Sequence, residues 1–368
     1  MAISGIKLTF VVNFRLDADY LVHLSVTKGV GGSREACPRG KIIMIENIKI
    51  NNFKSLVGIE LADCRRYNLL LGRPNVGKSN ILEALSLFSV PYLAYSKREM
   101  RDLVRYSNSM NELFFNGNTS EPINVIAGNH SLLITNNDGI KYTWDYSDSD
   151  KKENLVINSG KIVTKRNNAI LIPEFKKYDF KKLDKFSVSD VPCLIPIGGE
   201  NIMQIIQNDT NLTNEIREVV AEYDLQLLFD TATREIKFQK QLNETTVFSI
   251  PFFSVSDTLQ RLIFYKAAIS SNKGSVIMLE EIEAHSYPPF ISKVTGSITD
   301  DKSNQYFITT HSPYVVNDFL ELKTDEVAVY LTDLQEGRTI IKRLTDEELD
   351  EVYNAGIDLF FNYEMYLR

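Results

Sequence analysis

Cysteine is scarce in this chain of 368 residues: Cys37, Cys64 and Cys193 stand far apart and form no Cys-x-x-Cys pair. That excludes a disulfide framework and a zinc-ligand set, and it fits a reducing, cytoplasmic setting. No run of 18 or more apolar residues occurs, so no membrane-spanning helix is expected. Repeats of solenoid period and sustained heptads are also missing, which excludes a repeat array and a long coiled coil. So is an excess of positive charge. The 41 Lys and Arg against 48 Asp and Glu leave a net charge of −7, which argues against a uniformly basic nucleic-acid binder. Local basic pairs remain at Lys151-Lys152, Lys165-Arg166, Lys176-Lys177 and Lys181-Lys182, and the expectation for them is a solvated face. What is present is an ordinary globular composition, 43% hydrophobic and 24% charged, in a chain long enough to bury a large core.

Regular patterning begins at Met44. Residues 1–43, with the loop-like stretch Gly29 to Gly40, read as a leader that is non-native or poorly ordered, with a real edge strand as the rival reading. Ile45, Ile48 and Ile50 then predict a strand, and Gly58 to Leu61 a second. Asn68-Leu69-Leu70-Leu71 is a continuous apolar run, the pattern of a strand buried on both faces. Ser79 to Phe88 predicts a helix with Ile81, Leu82, Leu85 and Phe88 on one face. Ser131–Thr135, then Asn136-Asn137-Asp138-Gly139, then Ile140–Trp144 predicts a β-hairpin. Residues 147–190, rich in Lys, Asp and Ser, read as a peripheral insertion. Thr213–Tyr223 and Thr258–Ile269 predict helices, the second beside the cap candidates Ser256 and Asp257. Two or three strands lie between them, up to Ile250. Val276–Leu279 and Tyr306–Ile308 are again buried-strand runs. Glu326–Leu331 and Thr339–Leu344 form a terminal pair. Thr345 to Asn354 is a helix with Thr345 and Glu348 in capping-box spacing and Gly356 as its stop.

Three strand ends carry chemistry. Gly72-Arg73-Pro74-Asn75-Val76-Gly77-Lys78-Ser79 follows the first buried strand and opens a helix, the context of a phosphate-binding loop. Its glycines allow close approach of backbone amides to phosphates, and the helix N-terminus adds positive potential. Lys78 would neutralise phosphate charge and the Ser79 hydroxyl would bind Mg²⁺. Glu280 and Glu281 follow the strand Val276–Leu279. In a doubly wound sheet that end is the crevice where ligands sit. One carboxylate can orient Mg²⁺ and the next can activate water. Thr309-Thr310-His311-Ser312-Pro313 ends the third strand, where a histidine could sense the γ-phosphate.

With these residues in place, the chain resembles the ABC-type ATPases of the OLD/RecF-like group, AAA-family ATPases of prokaryotic defence and repair. Ile48-Lys49-Ile50-Asn51-Asn52-Phe53-Lys54-Ser55 is similar to that group's first strand and turn. Leu279-Glu280-Glu281-Ile282-Glu283-Ala284-His285-Ser286-Tyr287-Pro288 is similar to its Walker B segment, with Glu280 for the usual Asp and Ile282 for the usual Pro. Thr310-His311-Ser312-Pro313 resembles its switch-histidine motif. Ser254-Val255-Ser256-Asp257-Thr258-Leu259-Gln260-Arg261 is the best match to its signature segment, without the usual Gly.

The resemblance implies an α/β P-loop fold of the ABC-ATPase type: a central, mostly parallel sheet, an antiparallel β layer and a helical signature lobe. Residues 44–90 and 271–368 would form the nucleotide-binding core, 91–200 the β layer and insertion, and 201–270 the signature lobe. It implies ATP and Mg²⁺ as cofactors, with Gly72, Asn75, Val76, Gly77, Lys78, Ser79, Asn80 and Ser256 as nucleotide contacts. Ser79 and Glu280 would hold the metal; Glu281, His311 and Lys78 would be catalytic. It further implies a homodimer, or a higher homo-oligomer, around sandwiched ATP, with a separate nuclease-like effector and possible contact with DNA. The stretch after His311 is shorter than the roughly 100 residues of a small domain, so no Toprim nuclease domain is expected here. A nucleotide-gated binding module with negligible hydrolysis is the alternative. A GTPase is disfavoured, because Asn272-Lys273-Gly274-Ser275 fails as a guanine-reading segment.

Overall fold

A computed structural model describes residues 44–96, 98–136, 139–146, 151–158, 160–162, 173–322 and 325–367. The expected leader, the turn residues Asn137 and Asp138, and the pair Lys165-Arg166 lie outside the described residues. The chain opens with strands β1 (Ile48–Asn51), β2 (Ile59–Leu61) and β3 (Tyr67–Leu71), then helices α1 (Lys78–Ser86), α2 (Val90–Ser96) and α3 (Met100–Leu103). Strands β4 (Ile123–Ala127), β5 (His130–Asn136), β6 (Ile140–Tyr146), β7 (Lys151–Asn158), β8 (Lys161–Ile162) and β9 (Phe175–Tyr178) follow. Next come α4 (Ile202–Asn208), α5 (Thr210–Ala221), β10 (Gln226–Asp230), β11 (Glu235–Gln241), β12 (Val247–Pro251) and α6 (Asp257–Ser271). The last part is β13 (Val276–Glu280), α7 (Pro288–Asp300), β14 (Gln305–Thr309), α8 (Pro313–Leu320), β15 (Val327–Gln335), β16 (Arg338–Arg343), α9 (Asp346–Ala355) and α10 (Tyr363–Leu367).

Among the described residues the strands form three sheets. The central one runs β16-β15-β3-β14-β13-β9 and is parallel except at its β15–β16 edge. An antiparallel layer runs β2-β1-β4-β5-β6-β7-β8, and β10-β11-β12 form a small antiparallel sheet, so the lobe between α4 and α6 is not wholly helical. The apolar runs have a simple cause. Alternate side chains of each central strand enter different cores. Tyr67, Leu69, Leu71, Ile277, Leu279, Tyr306 and Ile308 pack with α6, α7 and α8. Leu70, Val276, Met278 and Phe307 pack with α1 and the antiparallel layer. Both faces are therefore buried, as parallel sheets require. On α1, Ile81, Leu82 and Leu85 are fully buried, each contributing roughly 2 kcal/mol of burial.

Most expected elements are found within a few residues of their reading. The capping box of Thr345 and Glu348 is formed, and Gly356 ends α9 in the left-handed conformation. Ile45 lies before β1 and is buried there, its amide held by the Gln305 side chain. Two expectations are corrected. Residues 147–190 are not simply a peripheral insertion: β7 belongs to the antiparallel layer, and β9 is an edge strand of the central sheet. Lys176-Lys177, within β9, is not a solvated face; the two residues are 1% and 5% exposed. Each buried ammonium has partners. Lys176 donates to Asn272 Oδ1 at 2.6 Å and Ser275 Oγ at 3.0 Å, and Lys177 pairs with Glu280. Lys181 and Lys182 are largely exposed, as expected. No helix among the described residues is long and apolar enough to cross a membrane.

Candidate functional site

Strands β3, β14 and β13 are neighbours in register, with Leu70 beside Thr309 and Thr309 beside Glu280. Their C-terminal ends thus bring three loops together: Gly72–Gly77, Glu280–Glu281 and Thr310–His311. The first loop needs its glycines. Gly72 has φ 150° and Gly77 φ 108°, and a methyl group on either would overlap Thr332 or Thr339. Asn75 takes the left-handed conformation at φ 63°, which asparagine tolerates. Thr339 ties the loop down, donating from Oγ1 to Val76 O at 2.8 Å. Its hydroxyl also meets Ser55 Oγ at 2.7 Å, and Asn80 Nδ2 donates to the same Ser55 oxygen at 2.9 Å.

The N-terminus of α1 carries no side-chain cap. Gly77 caps it without a side-chain hydrogen bond, and its first turn holds no acidic residue. Asp209, Ser256 and Thr345 cap α5, α6 and α9 with side-chain oxygens, while α4, α7 and α8 begin as α1 does, without one; what sets α1 apart is the glycine loop and buried Lys78 beside it. The first-turn amides of α1 are therefore left for an anion. Lys78, 5% exposed, donates to the Gly72 and Arg73 carbonyls, each at 2.8 Å. Burial pulls its ammonium down to about 8, with Glu281, Glu280 and Glu283 offsetting part of that.

Ser79 and Glu280 are neighbours, the Ser79 hydroxyl near enough to the Glu280 carboxylate to stabilise its charge. Glu280 also pairs with Lys177 at 3.3 Å and Arg105 at 3.5 Å. Burial alone would raise its carboxyl, but Lys177, the Ser79 hydroxyl and Arg105 outweigh burial and hold it below the usual range. Glu281 follows at φ 47°, a left-handed turn that throws its side chain out of strand direction. Its amide donates to Thr309 O at 3.0 Å, and its half-exposed carboxylate faces His311 Nε2 at 3.6 Å. Glu283 was not assigned a role from sequence. It accepts from the Thr310 hydroxyl at 2.9 Å and from the His311 amide at 2.5 Å, and so fastens the third loop to the second. Its other oxygen is buried without a hydrogen-bond partner. Ser256 is engaged elsewhere: its hydroxyl accepts from the Leu259 amide at 3.3 Å, while Thr258 donates to His285 O at 3.0 Å.

Arg105, Lys177 and Glu83 also escaped the sequence reading. Fully buried Glu83, on α1, pairs with Lys54 and with Arg105 Nε, the latter at 2.6 Å. Only Lys177 carried any signal, as half of a basic pair.

A glycine-rich loop between a buried parallel strand and a helix without a side-chain cap, with carboxylates and a histidine on the two neighbouring strands, is the arrangement of a P-loop fold of the ABC type. Residues 195–317 match the family described as "AAA domain, putative AbiEii toxin, Type IV TA system". The chain is 21% identical over 330 residues, 76% of its length and 87% of the other, to a protein of Helicobacter pylori (strain ATCC 700392 / 26695) described as an ATP/GTP phosphatase. Among solved structures it is similar to an SMC head bound to the C-winged helix domain of ScpA. There the identity is 16%, with TM-score 0.49, covering 83% of this chain and 99% of that one. An SMC head domain from Thermotoga maritima gives 10% identity and TM-score 0.41, covering 82% and 100%. One from Pyrococcus furiosus, with an extended coiled coil and bound to the C-terminal domain of ScpA, gives 13% and 0.45, covering 84% and 98%.

Proposed function

We propose that this chain binds ATP with Mg²⁺ at residues 72–80 and hydrolyses it by in-line attack of water on the γ-phosphate. The observation that carries this reading is the uncapped N-terminus of α1 beside the buried Lys78 ammonium, a site built for a polyanion. Gly72 and Gly77 let the loop approach the phosphates, and the amides of Asn75, Val76, Gly77, Lys78, Ser79 and Asn80 are its donors. A serine hydroxyl and a carboxylate side by side, Ser79 and Glu280, are oxygen donors that suit a hard cation. Held by Ser79 and Glu280, the ion would neutralise charge developing on the phosphate. Glu281, half exposed at the strand end, takes the proton of the attacking water. His311 donates to the γ-phosphate from a loop whose backbone Glu283 holds in place.

Two protomers close around ATP, with Ser256 at the start of α6 reaching the opposite nucleotide, and hydrolysis releases them. We further propose, on the resemblance of its motifs alone, that the chain gates a separate, nuclease-like effector in antiphage defence or DNA repair, with DNA as a further ligand. The second reading, a nucleotide-gated module with negligible turnover, is favoured by the segment Ser254–Arg261. Asp257 or Thr258 stands where a signature glycine is usual, and the Thr258 hydroxyl is already spent on His285.

Nucleotide binding tests the site. Lys78→Ala removes the one buried cation inside the loop and is expected to weaken ATP affinity at least tenfold, on the scale of a lost charge-assisted contact. Unchanged affinity overturns the assignment.

A further inference from the structure

Glu280 enters the site with its charge already answered. Its carboxylate lies near Ser79 and faces Lys177 at 3.3 Å and Arg105 at 3.5 Å. Lys177 reaches it from β9, the strand next to β13, and is itself buried. Arg105 continues to Glu83, whose other partner is Lys54. Three cations thus alternate with two acids behind the phosphate loop. A carboxylate largely withdrawn from water needs such a counter-charge, and one of the partners here is a lysine with no exit to solvent.

We propose that Lys177, backed by Arg105, is a positioning residue: an internal cation that holds Glu280 against Ser79 before a metal arrives, and whose charge Mg²⁺ then takes over. This rests on the nucleotide-site reading above. Mg²⁺ and the Lys177 ammonium compete for one carboxylate. Loading the metal therefore costs the protein part of an ion pair, and the wild type binds Mg²⁺ more weakly than its oxygen ligands alone would. Neutralising Lys177 acts twice in one direction. Metal-free protein loses a counter-charge for buried Glu280, and the incoming ion loses a like-charged neighbour.

The test uses the full chain as wild type, Lys177→Met and Lys177→Arg, with a non-hydrolysable ATP analogue at fixed concentration and Mg²⁺ titrated. Thermal midpoint and analogue fluorescence are the readouts, and neither needs turnover. Lys177→Met is expected to melt lower without metal and to gain more from Mg²⁺ than wild type. Its half-saturating Mg²⁺ should fall by about fivefold or more, the direction set by removing one like charge close to the ion. Lys177→Arg, which keeps the charge, is expected to follow wild type. A folded Lys177→Met with wild-type midpoint gain and half-saturation overturns the proposal. Should that variant not fold, Arg105→Gln takes its place. Arg105 is far more exposed than Lys177, and Lys54 still faces Glu83 when it is lost, so the variant is expected to fold and to show the same shift in smaller measure; an unchanged Mg²⁺ response there overturns the proposal equally. A wild type that binds no analogue, with or without Mg²⁺, overturns the nucleotide-site reading and this inference with it. Normal analogue binding with an unmoved Mg²⁺ response in the variants overturns this inference alone.

Discussion

His311 Nε2 lies 3.6 Å from Glu281 Oε1, so the histidine on β14's exit loop and the second acid after β13 face each other across the end of the sheet. Burial and the Lys78 charge hold the imidazole below its usual 6.5, against Glu281 and Glu283, which pull the other way. The ring is therefore neutral at pH 7. Because the unfolded chain takes up this proton first, the contribution to stability is present above pH 6.5 and is lost as pH falls through the folded value. An NMR titration of the four histidines, with His311→Gln to identify the signal, is expected to place its midpoint below 6.5. A midpoint at or above 6.5 would contradict the electrostatics drawn here.

Lys78 makes a second pH signature. Its ammonium is held at about 8 against 10.5 for a free lysine, first by burial. Between these values the folded chain binds fewer protons than the unfolded one, so the Lys78 contribution to stability rises with pH across that window. Phosphates arriving beside it favour the charged form. ATP binding at pH near 9 is thus expected to take up a proton, visible as a calorimetric enthalpy that depends on the buffer's ionisation heat. Lys78→Met should abolish that dependence. Buffer-independent enthalpy in the wild type would show that Lys78 does not meet the phosphates.

Glu83 tests the charge network on stability alone. It is fully buried between Lys54 and Arg105. Glu83→Gln keeps shape and leaves two cations under-compensated. The expected cost is about 3 kcal/mol in a urea unfolding experiment, the usual scale for breaking a buried pair from one side. A loss smaller than about 0.5 kcal/mol would mean that the two cations find other partners.

How much of this was legible before the fold follows from where each signal resides. Leu69–Leu71, Val276–Leu279 and Tyr306–Ile308 announce themselves because both faces of their sheet are buried, and the loop from Gly72 to Ser79 because phosphate chemistry fixes its spacing. β9 was missed for a physical reason. Two of its four residues are lysines, and the groups that make their burial tolerable, Asn272, Ser275 and Glu280, come from about a hundred residues away. Arg105 has the same difficulty, since nothing around it signals that its guanidinium joins Glu83 to Glu280. Glu283 was in view inside its motif, but its partners Thr310 and His311 arrive only when β13 and β14 pair. Helices α7 and α8 begin at Pro288 and Pro313. Proline suits a first helical turn but reads locally as a breaker.

Glu281 as the base that readies water is tested most directly by one comparison: phosphate release and nucleotide affinity measured together for wild type and Glu281→Gln. The substitution keeps size and leaves Lys78, Ser79 and the loop amides untouched, so ATP affinity should hold within about twofold while phosphate release falls about 100-fold or more, the usual scale for a lost general base. The ATP-bound dimer should then accumulate in the variant and not in the wild type. Equal, measurable phosphate release in both proteins would remove Glu281 from the chemistry and contradict the account.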